Sequence, residues 1–135
     1  MRTTTTLTVL AGILAAAILA SAEAAEKKAK GGKTGKLRHV VLLKFKEDSS
    51  PEQVRRIERA FAELPSKIPE IVDLEWGTNN SPEGLAQGFT HCFLVTFNDE
   101  KGRAVYLPHP AHKALVRLLM PRLDKVLVVD YFARD

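Results

Sequence analysis

Residues 37–46 read LRHVVLLKFK, and the way that run is patterned decides the fold. Side chains alternate across a strand, so His39, Val41, Leu43 and Phe45 share one face and Val40, Leu42, Lys44 and Lys46 the other. Apolar residues on both faces over the first half of the run predict a strand covered on both sides. Residues 89–98, FTHCFLVTFN, repeat the pattern. Phe89, His91, Phe93, Val95 and Phe97 line one face, and Thr90, Cys92, Leu94 and Thr96, small or apolar, line the other.

Between these runs lies a helix signal. Ser50-Pro51-Glu52-Gln53 offers a capping serine, a proline suited to the first turn and a glutamine where a capping box needs it. Val54, Ile57, Phe61, Leu64 and Ile68 recur at steps of three and four on one stripe, while Arg55, Arg56, Glu58, Arg59 and Glu63 are expected to face solvent. Pro65 and Pro69 are expected to end the regular helix. Residues 72–78 (VDLEWGT) alternate as a half-exposed strand, with Trp76 at the core or at a subunit rim, and 79–88 (NNSPEGLAQG) form a loop. Beyond the third strand, residues 99–107 suit a short helical piece and 110–119 a second helix carrying Leu115, Leu118 and Leu119; 125–132 (KVLVVDYF) close the domain as a fourth strand, where Asp130 and Tyr131 do no more than end its pairing. The order βαββαβ predicts an α+β, ferredoxin-like domain: a four-stranded antiparallel sheet with helices on one face and strands one and three central. The uncovered face then carries Val40, Leu42, Cys92 and Leu94, so two subunits are expected to pair there as a homodimer, with Cys92 a small buried hydrophobe.

The 135 residues allow one such domain. Met1-Arg2 followed by an uncharged apolar run over residues 7–19 and the small residues Ala20-Ser21-Ala22 reads as a signal peptide over 1–22, with Ala24 a second cleavage candidate. The apolar run falls short of the roughly 20 residues of a spanning helix, so no stable membrane span is expected after cleavage. Residues 23–35, rich in Lys and Gly, read as a flexible basic linker, and 36–135 as the domain of an exported, periplasmic or secreted, protein. Of the net charge of +4, residues 1–35 hold +3 (Arg2, Lys27, Lys28, Lys30 and Lys33 against Glu23 and Glu26), which leaves +1 for the domain and argues against nucleic acid as a partner. The one cysteine, Cys92, excludes an intrachain disulfide.

Chemistry points to the four histidines. His39 and His91 sit on the core-facing sides of the two central strands and are expected to meet near one end of the sheet; His109 and His112 fall in Tyr106-Leu107-Pro108-His109-Pro110-Ala111-His112, at the start of the second helix. With RHVVLLKFK, GFTHCFLVTF, YLPHPAH and VLVVDYF in place, residues 37–132 resemble the stress-responsive α/β-barrel family (Dabb, dimeric α/β barrel), which includes boiling-stable plant stress proteins and a plant polyketide cyclase. The resemblance implies His112 as general base and Tyr106 as oxyanion donor, with His39, His91 and His109 in supporting or substrate-binding places and no metal or other cofactor. Physical chemistry agrees with the two central roles. In the first turn of a helix the dipole disfavours imidazolium, and a neutral imidazole is what proton abstraction requires; a phenol can donate to an enolate oxygen. Against this stands the ordinary structural reading, in which a strand histidine is a hydrogen-bonded core residue and His-Pro caps a helix. Two functions remain open: a stress-related or small-molecule-binding protein without turnover, which the exported location favours, and a cofactor-independent cyclase or lyase.

Overall fold

The structure is a computed structural model that describes residues 35–134. The leader read over 1–22 and all of the linker but Gly35 lie outside the described residues. Gly35 itself donates its N–H to the Ala133 carbonyl (2.8 Å), beside the last strand.

The chain runs β1 (Leu37–Phe45), α1 (Pro51–Ala62), α2 (Leu64–Lys67), β2 (Ile71–Thr78), β3 (His91–Phe97), α3 (Glu100–Tyr106), α4 (Pro110–Leu119), a 3₁₀ turn (Met120–Arg122) and β4 (Leu123–Phe132). The sheet order is β2-β3-β1-β4 and every pairing is antiparallel, with the helices on one face. This is the ferredoxin-like arrangement expected, with β1 and β3 central.

Local chemistry explains the elements. The Ser50 hydroxyl accepts from the Gln53 N–H (3.2 Å) and the Gln53 side chain accepts from the Ser50 N–H (2.9 Å), a complete capping box. Ile57, Phe61, Leu64 and Ile68 are buried, and Phe61 stacks on Phe93 with centroids 3.9 Å apart. Pro65 does not itself stop α1. The helix closes at Ala62, and Pro65 sits in the first turn of α2, where its missing N–H costs nothing. Asp99 caps α3 through the Gly102 N–H (3.0 Å).

The core lies between the helices and the inward face of β1 and β3: Val41, Leu43, Phe93, Val95 and Phe97 are all buried there. Trp76 stands on that same side of edge strand β2, stacked on Phe93 (5.4 Å) but 42% exposed. The opposite face carries Val40, Leu42 and Leu94, joined by Leu127 and Val129 of β4. Cys92 is exposed there among the described residues, so the burial expected for it depends on the pairing of two subunits.

Candidate active site

A cleft opens on the helix side of the sheet between α4 and edge strand β4, enclosing a cavity of about 270 Å³. Val41, Phe61, Leu115, Leu119, Val126 and Val128 give it apolar walls, and its polar groups are His39, Tyr106 and His112.

Three short pieces of chain bring those groups together. Tyr106 ends α3 and is fully buried. Three residues on, His109 caps α4, its Nδ1 accepting the Ala111 N–H (3.1 Å), with Pro110 as the first helical residue. The cap places His112 in the first turn of α4, half-buried, with its ring centroid 4.3 Å from that of Tyr106. His112 Nδ1 lies 2.9 Å from the Leu107 carbonyl oxygen. A carbonyl only accepts, so Nδ1 carries the proton and the neutral ring keeps its lone pair on Nε2. Burial pushes the His112 pKa below the usual histidine value, and the neighbouring His39 and His109 push the same way; the hydrogen bond to Leu107 offsets part of this. Both tautomer and charge state are those of a base at neutral pH.

The Tyr106 hydroxyl is buried and has no hydrogen-bond partner among the described residues. Burial, and secondarily the charge of Asp130, raise its pKa far above that of a free phenol, so it stays protonated and can only donate or accept as a neutral group. On its other side stands His39, edge-on with centroids 5.7 Å apart. His39 and Asp130 are direct cross-strand partners of β1 and β4. His39 Nδ1 donates to Asp130 Oδ1 (2.6 Å), and Asp130 Oδ2 accepts from the Arg103 guanidinium (2.6 Å), one turn before Tyr106 on α3. Asp130 is thus more than a strand terminator. With Arg103 it holds His39 against the tyrosine, a link that no local sequence signal reveals because the three residues are far apart in the chain.

The remaining histidines stand elsewhere. In the observed register His39 faces Val95 and His91 faces Leu43, so the two histidines are four residues apart along the sheet, about 13 Å, and do not meet as expected. His91 Nε2 donates to Glu58 Oε1 (3.0 Å), its Nδ1 pairs with the Thr90 hydroxyl (2.8 Å), and Phe45 packs against the ring (5.0 Å). Glu58 therefore turns inward to this histidine, where sequence placed it in solvent. His91 borders a different hollow, of about 410 Å³, beside the β2–β3 loop and Cys92. His109 is spent on its cap. Among the described residues no three His, Cys, Asp or Glu side chains form a metal-binding set.

Comparison with known proteins places this geometry. The family model described as the stress responsive A/B barrel domain matches residues 37–133. A stress-response A/B barrel domain-containing protein of Arabidopsis thaliana is 39% identical over 97 residues, 72% of this chain and 89% of that one. Olivetolic acid cyclase of Cannabis sativa is 29% identical over 98 residues, 73% of this chain and 97% of the cyclase. Among solved structures, hydroxynitrile lyase from Passiflora edulis superposes with a TM-score of 0.71 at 26% identity, covering 76% of this chain and 96% of the lyase. A dimeric ferredoxin-like protein from Thermobifida fusca superposes with a TM-score of 0.62 at 28% identity, covering 73% and 92%. Fold, strand order and sequence together make this chain a member of the stress responsive A/B barrel domain family.

Proposed function

We propose that the domain is a cofactor-free enzyme of the cyclase or lyase kind, acting on a small, largely apolar carbonyl compound. His112 Nε2 removes a proton next to a carbonyl; the electron pair moves onto the carbonyl oxygen, to which the Tyr106 O–H donates a hydrogen bond. The resulting enolate carbon attacks a second carbonyl of the same molecule to close a ring, or the same groups run such a step backwards. The proton held on His112 returns to the product oxygen or carbon. Apolar walls strengthen each of these interactions relative to water. The observation that carries the reading is the Tyr106 hydroxyl, buried and without a partner among the described residues, beside an imidazole whose Nδ1 is already committed. The names of a cyclase and a lyase among the relatives agree with it.

The test is turnover of a panel of linear β-polycarbonyl compounds and cyanohydrins by the wild type and by His112→Ala. The proposal expects turnover that the substitution abolishes while the melting temperature stays nearly unchanged. A stress-related binding protein without turnover is the second reading, favoured by the Arabidopsis relative's description. It expects no turnover by the wild type and a lower melting temperature in His112→Ala.

We also propose that the mature chain is an exported homodimer. The leader-like pattern over residues 1–22 supports export. For pairing, β4 is an edge strand in which Val126, Leu127, Val128 and Val129 are each 44–49% exposed, and the adjoining sheet face is apolar. Solved relatives described as dimeric agree. Light scattering at micromolar concentration tests the pairing, since wild type should show twice the mass of a Leu127→Glu variant. N-terminal sequencing of protein recovered outside the cytoplasm tests the leader, and an intact Met1 there would refute its removal.

A further inference from the structure

The outer surface of the helical layer carries a feature that the proposed reaction does not use. A furrow runs between α1 and α4, formed by two adjoining hollows that share Arg56 and Leu118. Its floor is apolar, with Ala60, Ala114 and Leu118 among its residues. Arg56 and Arg59 of α1 stand on one bank, and Arg117 and Arg122 stand at and beyond the end of α4. None of the four arginines makes an ion pair among the described residues. The furrow's other charges, Lys67 and Glu63, are already paired with each other at 2.8 Å. A domain of net charge +1 thus gathers around one apolar trough four guanidinium groups, of which only Arg59 feels a furrow carboxylate, Glu63.

We infer that this furrow is a docking surface for an anionic lipid surface. Charge excludes the occupants nearest to hand. A second copy across a two-fold axis would set arginine against arginine. The chain's own residues 23–35 carry four lysines against two glutamates. Arginine, in preference to lysine, suits a phosphodiester, because its planar fork donates two hydrogen bonds to one phosphate. An apolar floor between two such rims matches a headgroup whose acyl chain lies close behind it. The furrow also adjoins the candidate active site: Met120, 58% exposed, lines the cavity, and the next two residues, Pro121 and Arg122, line the furrow. Docking would bring the mouth of the cavity to the lipid boundary, where apolar compounds partition.

Residues 35–135 suffice for the test, because they contain the whole matched domain, residues 37–133, and the superposed stretch makes up 92% or more of the relatives' own chains. Their use removes both the apolar leader and the lysine-rich segment as competing causes of binding. Co-sedimentation is measured with vesicles of phosphatidylcholine alone and of phosphatidylcholine with phosphatidylglycerol. The inference expects binding to the anionic vesicles only. Arg56→Gln/Arg117→Gln should weaken it about 25-fold, at about fivefold per arginine, while Lys36→Gln/Lys125→Gln leaves it unchanged. It is overturned by absence of binding to anionic vesicles, or by an equal loss in the two double variants. Displacement by millimolar inorganic phosphate would reveal a site for a single anion, and tighter binding to polyglutamate than to vesicles an acidic protein partner; either overturns the inference as well.

Discussion

Tyr106→Phe removes a single oxygen and separates a functional hydroxyl from a structural one. The hydroxyl is fully buried and bonded to nothing among the described residues, while the ring packs against Phe97, His39 and His112. Leaving a buried polar group unpaired costs about 1–3 kcal/mol, and replacing it with an apolar group of the same shape recovers some of that cost. The ring contacts remain, so no cavity is created. The expected change in stability at pH 7 therefore runs from zero to a gain of about 2 kcal/mol. For a domain of this size about 1 kcal/mol moves the midpoint by roughly 4–8 °C, so calorimetry should show a melting temperature that is unchanged or raised. The same change removes the only donor proposed for the developing oxyanion, and loss of one such donor costs about 10²–10³ in kcat. The pH dependence adds a second signature. Because the folded-state pKa of Tyr106 is raised, the unfolded chain releases this proton first as pH climbs through 10, and the wild type loses stability there. Tyr106→Phe lacks that loss, so the variant's advantage widens above pH 10. A melting temperature lowered by more than about 4 °C, or an undiminished kcat, would refute the reasoning.

Three further outcomes follow from the same geometry. The acid limb of kcat/KM should fall at a pH below 6.5, because the base must be neutral and its folded-state pKa is depressed; a limb at or above 6.5 contradicts the assignment. Asp130→Ala should lower turnover by about tenfold to 10²-fold through loss of the His39 orientation; unchanged turnover would show that the Arg103–Asp130–His39 chain is idle. His91→Ala should reduce stability by about 1–3 kcal/mol in a denaturation experiment, since it strips Glu58 of its partner, yet leave turnover intact. Abolished turnover in a folded His91→Ala protein would place that residue in the site after all.

The fold was legible because its signals are local. Period-two alternation over residues 37–46 and 89–98, a complete capping box at Ser50 and the three-four spacing from Ile57 to Ile68 each specify an element without knowledge of the others. Half of the candidate site was legible for the same reason: Tyr106, His109 and His112 lie within seven residues, and the proline at the start of α4 fixes the helical phase that points His112 at Tyr106. What stayed hidden depends on register. Whether His39 and His91 meet is set by the β1–β3 offset, and nothing in either strand's alternation reveals that the offset separates them by four residues. Asp130 and Glu58 looked like solvent-facing or terminal carboxylates because each finds its histidine partner on a distant strand. The source of any cover over Cys92 stayed hidden too, because apolar neighbours on a strand face do not say whether the cover comes from the same chain.

The account rests on His112 keeping a free Nε2 lone pair in a ring packed beside Tyr106. Nitrogen-15 NMR of the histidine rings across a pH titration reads this directly. It should find the His112 proton on Nδ1 at pH 7 and a midpoint below 6.5. A proton on Nε2 at neutral pH, or a midpoint at or above 6.5, would contradict it.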